Sequence, residues 1–254
     1  MQAQSIRHET SKGSTIALDF ISSEIVRVRY GRPDSFADTG LNRYGFIQED
    51  AFGDVEAECA PEGVDASTSD MRVRWDDETG TLGVGNASGE TVFEMVSAEF
   101  ADGGAVVRAR ARKDEDWVGF GDQTRDRLYH RGQVADCHVR NVKSYAPVPF
   151  FMSTVGAGVL VNTTHRIVFD MCASDPDLYE WRDGRGAVDF YVMVGDSFAR
   201  LLNLYTQLTG RPKLPPEWSF GLWYICRTQA NDYEATNDAA GFRREGIPCD
   251  VIGL

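Results

Sequence analysis

The chain has 254 residues, 42% of them apolar and 26% charged, a globular composition long enough for one large or two smaller hydrophobic cores. A net charge of −13 argues against a general nucleic-acid binder and against adhesion to anionic membranes. No stretch reaches the roughly 18 uninterrupted apolar residues of a membrane span, and the opening MQAQSIRHETSKGS has no apolar signal core.

Up to about residue 195 the dominant hydrophobic period is two. Ile16, Leu18 and Phe20 alternate with polar neighbours, and Val26, Val28 and Tyr30 alternate with Arg27 and Arg29. Met71, Val73 and Trp75 alternate with Arg72 and Arg74, and Val107, Ala109 and Ala111 with Arg108, Arg110 and Arg112. Val188, Phe190, Val192 and Val194 close the series. One apolar and one wet face is the pattern of antiparallel sheets, so the wet-face arginines are expected to be solvated. Asp76-Asp77-Glu78-Thr79-Gly80 and Ala101-Asp102-Gly103-Gly104 read as hairpin loops. Many short strands at this spacing predict a large antiparallel β-sandwich. Gly83-Val84-Gly85-Asn86-Ala87-Ser88-Gly89 is not a nucleotide loop, because a strand rather than a helix follows it.

After Gly195 the period turns helical, with Phe198, Leu201, Leu202, Tyr205 and Leu208 on one face, Asp196 or Ser197 as cap and Gly210 past the end. Pro212, Pro215 and Pro216 forbid further helix and mark a linker. Trp218 to Ile225 is a non-alternating apolar run, which predicts a strand buried on both faces. A helix over 232–245 follows, with Asn231 and Glu234 spaced as a capping pair and Ala235, Ala239 and Phe242 along one side. A second apolar run, Ile247 to Leu254, completes one βαβ unit. Two such strands and one helix cannot bury a sheet that is apolar on both faces, so the unit is expected to be a truncated piece of a larger α/β sheet or barrel, a (β/α)8 barrel needing about 250 residues. The predicted organisation is a sandwich over 1–195, a helix and Pro-rich linker over 196–217, and the barrel start over 218–254.

The five cysteines, Cys59, Cys137, Cys172, Cys226 and Cys249, are scattered without a CxxC pair, which predicts free thiols and a cytoplasmic location. The sequons Asn86-Ala87-Ser88 and Asn162-Thr163-Thr164 then carry no glycan. His130 and His138 lack metal-ligand spacing, so neither metal nor other cofactor is expected. Trp75, Trp117, Trp181, Trp218 and Trp223 are expected in the core rather than stacked on a ligand.

Several blocks, in order, resemble glycoside hydrolase family 31. Gly119-Phe120-Gly121-Asp122-Gln123 is similar to a Gly-rich turn late in that family's sandwich, and Tyr145 to Ser153, YAPVPFFMS, to the strand that follows it. Tyr205 to Gly210 resembles the helix before the family's barrel, Arg211 to Trp223 the entry to it, and Phe242 to Ile252 the end of its first helix and its second strand. The resemblance implies a galactose-mutarotase-like sandwich leading into a (β/α)8 barrel, and an enzyme of α-glucosidase or α-xylosidase type acting on an α-linked oligosaccharide or glycoside. Homo-oligomerisation stays open for the full-length enzyme. Retaining hydrolysis needs two carboxyls about 5–5.5 Å apart. In the family both are aspartates on later barrel strands, so the resemblance places nucleophile and acid/base beyond Leu254 and the chain alone is expected to be inactive. Arg227 and Thr228, at the C-terminal end of the first barrel strand, become candidate sugar contacts. The family's sandwich loop that reaches the sugar pocket would lie within 133–146, offering Asp136, His138 and Asn141. Asp250, inside an apolar run, is expected to find a structural partner. The competing expectation is a stand-alone carbohydrate-binding sandwich.

Overall fold

The computed structural model of the chain describes residues 5–32, 36–49, 54–101, 104–122, 127–140, 144–226 and 230–253. Contacts divide it into two compact units, Met1–Gly210 and Arg211–Leu254.

Among the described residues the first unit holds sixteen strands. They are β1 (Ser5–Glu9), β2 (Thr15–Ser22), β3 (Ile25–Gly31), β4 (Glu56–Ala60), β5 (Gly63–Ser67), β6 (Met71–Asp76), β7 (Thr81–Asn86) and β8 (Thr91–Ala101). After them come β9 (Gly104–Arg110), β10 (Trp117–Gly121), β11 (Gln133–Cys137), β12 (Pro147–Ser153), β13 (Ala157–Val161), β14 (Ile167–Asp175), β15 (Leu178–Asp183) and β16 (Val188–Val194). Seven form one sheet in the order β1-β2-β3-β16-β13-β12-β10, and nine form the other, β11-β14-β15-β9-β8-β7-β6-β5-β4. Each neighbouring pair in these two sheets is antiparallel. The sheets stack face to face: Phe190 of the first lies 5.2 Å from Trp181 and 5.7 Å from Phe93 of the second, ring centre to ring centre. The mainly β antiparallel sandwich expected from the period of two is therefore present.

In β6 the burial alternates strictly, with Met71, Val73 and Trp75 inside and Arg72 and Arg74 outside. On this outer face arginines meet carboxylates across strands: Arg72 and Arg74 with Asp65, Arg108 with Glu99 and Glu180, Arg110 with Glu94. Alternation disappears in the seven-stranded sheet, where β16 is buried at every position. A third layer explains it. Helix α2 (Phe198–Thr209) and the segment 36–49, which contains the short helix α1 (Gly40–Arg43), lie over that sheet's outer face. There Leu201, Leu204 and Leu208 of α2 and Ile47 join Ile21, Ile25, Phe150, Leu160, Tyr191 and Met193 in a second core.

This layer corrects the expectation of solvated arginines for β3. Arg27 is only 3% exposed. Its guanidinium grips Asp189 through Nε at 2.9 Å and a terminal nitrogen at 2.8 Å, and Glu49 at 2.9 Å. Arg29 bonds Asp19 at 2.6 Å and stacks on Phe36. Asn162, with no exposed surface, donates to Asp189 and to Asn42, while Thr39 donates to Asn162. Arg27, Asp189, Asn162 and Thr39 thus satisfy one another beneath a strap that the sequence period does not announce, while Arg29 Nε is buried without a hydrogen-bond partner.

The second unit contains β17 (Trp223–Ile225), α3 (Asp232–Arg244) and β18 (Val251–Gly253), with β17 and β18 paired in parallel, Trp223 opposite Val251. Asn231 and Glu234 form the expected capping box. The expected eight-residue strand is shorter. Glu217–Phe220 forms a 3-10 turn closed by the Ser219 hydroxyl donating to Pro216 O at 2.6 Å, and the strand begins only at Trp223. Trp218 and Trp223 stack 6.4 Å apart and stand 56% and 50% exposed, contrary to their expected core placement.

Candidate functional site

The Gly-rich block ends β10, which pairs with β12, the strand of the second block. Gly119, Phe120 and Gly121 have φ of 138°, 65° and 72°, a bulge that interrupts the register between β10 and β12. Glycine is required at both flanks. A Cβ on Gly121 would stand 2.0 Å from Ala146 O, and one on Gly119 would stand 2.5 Å from Phe150 O. Phe120 tolerates its strained backbone because the twist throws its ring into the core, 4.8 Å from both His130 and Phe169 and 5.5 Å from Phe151. His130 is 4% exposed, and burial holds its imidazole below the ordinary value, although Asp116 works the other way. A neutral ring against phenylalanine is a core histidine.

This bulge and β11 carry the loop region of 133–146. Asp136 on β11 receives Arg166 Nε at 2.9 Å and a second Arg166 nitrogen at 2.7 Å, while Arg140 stands at 2.6 Å. The Arg166 hydrogen bonds hold its carboxyl below the usual range. A carboxylate shared by two guanidiniums keeps its charge and acts as an acceptor, so it suits fixing a hydroxyl or holding the loop rather than moving a proton near neutrality. His138 is exposed two residues on, its amide donating to Asp136 O at 2.8 Å. Beside them Val139 and Tyr145 expose 64% and 55% of their surfaces. Cys137 points the other way; burial pushes its thiol up to about 12, which leaves it unreactive. The structure thus brings Asp136 and His138 to one edge of the nine-stranded sheet. Asn141, Arg227 and Thr228 lie outside the described residues, and so does Gln123. Their neighbour Cys226 is buried, its amide donating to Gly253 O at 2.9 Å.

Asp250 stands immediately before β18, exposed, its carboxyl where a Cβ on Gly221 would stand, 1.8 Å from Oδ2. Among the described residues no group of three or more His, Cys, Asp or Glu is placed to hold a metal ion. The Arg166 partner of Asp136 escapes sequence reasoning, since thirty residues separate them and only the β11–β14 pairing brings them together.

The profile of the glycosyl hydrolase 31 N-terminal galactose mutarotase-like domain matches residues 15–170. The chain is 32% identical over 146 residues to the α-xylosidase XylQ of Lactiplantibacillus pentosus, covering 55% of this chain and 19% of that protein. It is 25% identical over 178 residues to an isomaltosyltransferase of Sporosarcina globispora, covering 66% of this chain and 15% of that one. It therefore spans a fifth or less of the length of these two relatives. In fold it is similar to a Flavobacterium johnsoniae GH31 dextranase solved with glucose, with a TM-score of 0.85 at 22% identity over 99% of this chain and 33% of that one. A GH31 α-xylosidase from a soil metagenome, solved with xylose, gives a TM-score of 0.83 at 18% identity, covering 99% and 40%.

Proposed function

Because the chain belongs to glycoside hydrolase family 31, we propose that it is the N-terminal portion of a retaining enzyme that cleaves α-linked glucosides or xylosides. The observation that carries this reading is the match of residues 15–170 to the family's mutarotase-like domain, on a chain whose two sheets form that sandwich. The parallel β17–α3–β18 unit supports reading 218–254 as the first βαβ of a (β/α)8 barrel. The family's two catalytic aspartates belong to later strands of that barrel, so the 254 residues alone are inactive.

In this reading the stretch 133–146 contributes sugar contacts. Asp136, charged and held in place by Arg166, accepts a hydrogen bond from a sugar hydroxyl. His138 offers a further polar contact, and Asn141, Arg227 and Thr228 are further proposed sugar contacts of the complete enzyme. Exposed Tyr145 and Val139 supply an apolar surface for the sugar ring.

The test uses p-nitrophenyl α-glucoside and α-xyloside, with this chain and with the full-length polypeptide. The chain alone should turn over more slowly than about 0.01 s⁻¹, far below ordinary enzymes. The full-length polypeptide should release the α-anomer of glucose or xylose first. A first-formed β-anomer would reject retention, and fast turnover by the chain alone would reject the assignment of catalysis to later strands.

A second reading, a stand-alone carbohydrate-binding sandwich, draws on the self-contained cores of Met1–Gly210. It expects residues 1–210, which keep α2 and the second core, to bind oligosaccharide in a calorimeter as tightly as the full-length polypeptide does.

A further inference from the structure

At one end of the sandwich the β2–β3, β5–β6, β7–β8 and β12–β13 turns converge on the start of α2 and enclose an open cleft of about 580 Å³. That is within the roughly 300–1,000 Å³ of small-molecule sites. Two ion pairs line it. Arg200 of α2 holds Glu24 with both Nε, at 2.9 Å, and a terminal nitrogen. Arg112 holds Glu90 at 2.6 Å. Asp70 and Asp196 add acceptors to the lining, and the charge of Arg200 reaches both. Valines Val92, Val155 and Val194 contribute an apolar lining, with Gly156 and Gly195 between them. Neither glycine has room for a side chain: a Cβ on Gly156 would stand 2.7 Å from Gly195 O, and one on Gly195 would stand 3.0 Å from Arg200.

The lining selects a kind of ligand. An apolar ligand would strip water from the ion pairs without replacing it. An anion such as phosphate would meet four carboxylates against two guanidiniums. A neutral polyhydroxyl compound suits both sets of groups. Its hydroxyls accept from the guanidiniums and donate to the carboxylates while the pairs stay intact, and the C–H face of a pyranose rests on the valines. We infer that this cleft is a second saccharide-binding site, for a short α-linked oligosaccharide, built from residues other than the 133–146 loop. The inference rests on the reading of the chain as part of an α-glycoside hydrolase, since that reading brings such a ligand to it.

Ala87 gives a clean way to block the cleft. It is exposed, lines the cleft, and sits in the Asn86–Gly89 turn, whose positive φ falls on Gly89 rather than on Ala87. The 254-residue chain, labelled with ¹⁵N, is titrated with maltotriose and with isomaltotriose. The expected result is saturable, millimolar binding that shifts the amides of Thr154, Gly156 and Gly195. Ala87→Trp should weaken it about tenfold or more, while Asp136→Asn and His138→Ala leave it unchanged. Absence of saturable shifts, shifts confined to residues 133–140, or an unchanged affinity in Ala87→Trp would each overturn the inference. Hydrolysis by the full-length polypeptide separates the two readings. Turnover there with an empty cleft here removes the second site alone, whereas absence of turnover removes the functional reading beneath it.

Discussion

Gly121 is the residue on which the β10 bulge depends. Its φ of 72° and the 2.0 Å approach to Ala146 O leave no position for a Cβ without moving β12. Gly121→Ala should therefore cost at least about 3 kcal/mol, combining backbone strain with the displacement of packed strand. Gly13 is the control: its φ is 78°, but nothing lies within 4 Å of its Cβ position. Gly13→Ala should cost only the left-handed penalty, about 1–2 kcal/mol. Urea midpoints of the two variants measure the difference. His130, against the Phe120 ring that this bulge turns inward, makes stability depend on pH. Its folded value lies below the ordinary 6.5, chiefly through burial. The unfolded chain therefore binds a proton first as pH falls. The contribution is present above the ordinary imidazole value and is lost as pH drops below it toward the folded value. Relative to His130→Phe, the wild-type protein should lose stability between pH 7.5 and pH 5.5, read as a shrinking gap in urea midpoint. A gap independent of pH would mean that His130 is not held neutral by its surroundings.

The elements show which stability terms are paired and which are simply packed. Arg27 and Asp189 form a buried ion pair on adjacent strands, their side chains 3% and 6% exposed. Removing Asp189 leaves Arg27 with Glu49 as its hydrogen-bonded carboxylate and takes an acceptor from Asn162, so Asp189→Ala should cost about 3 kcal/mol. The double variant Arg27→Met, Asp189→Leu should recover most of that loss, which a double-mutant cycle by urea unfolding reads directly. On α2 the buried residues are Leu201, Leu204 and Leu208. Leu202, which helical spacing also places on the apolar face, is 49% exposed. Leu204→Ala should cost about 2–5 kcal/mol and Leu202→Ala less than about 0.5 kcal/mol. These cases mark how far the sequence can be read. The strands of the nine-stranded sheet were legible because one face is wet, so Arg72 and Arg74 alternate with buried neighbours. The third layer was not, because Arg27 and Arg29 look solvated until a distant strap covers them. At the candidate site, resemblance pointed to the stretch holding Asp136 and His138, but Arg166, which fixes the charge of Asp136, stands immediately before the neighbouring strand β14, thirty residues on. A period describes one strand; it carries no record of what packs across it.

At the scale of the whole molecule the two units differ in what holds them. Met1–Gly210 contains both hydrophobic clusters, with side chains such as Trp181, Phe190 and Leu201 fully enclosed. In Arg211–Leu254, Cys226 is the one buried residue among those described, and β17, α3 and β18 bury none. A segment of this length, without a core, sits at the lower edge of the roughly 40–60 residues at which a domain sustains itself. Its helix is held by a capping box and by the Tyr224 ring against Phe242 at 5.1 Å, contributions of about a kcal/mol each. The amides of Ala235 to Arg244 in α3 should therefore exchange with deuterium through local opening, many orders of magnitude faster than those of β13 and β16 at the centre of the sandwich. Added urea, below the main transition, should accelerate the second set but not the first, because local fraying exposes little surface and global unfolding exposes much. Equal protection in α3 and β16 would mean that Arg211–Leu254 is stabilised by something other than its own packing.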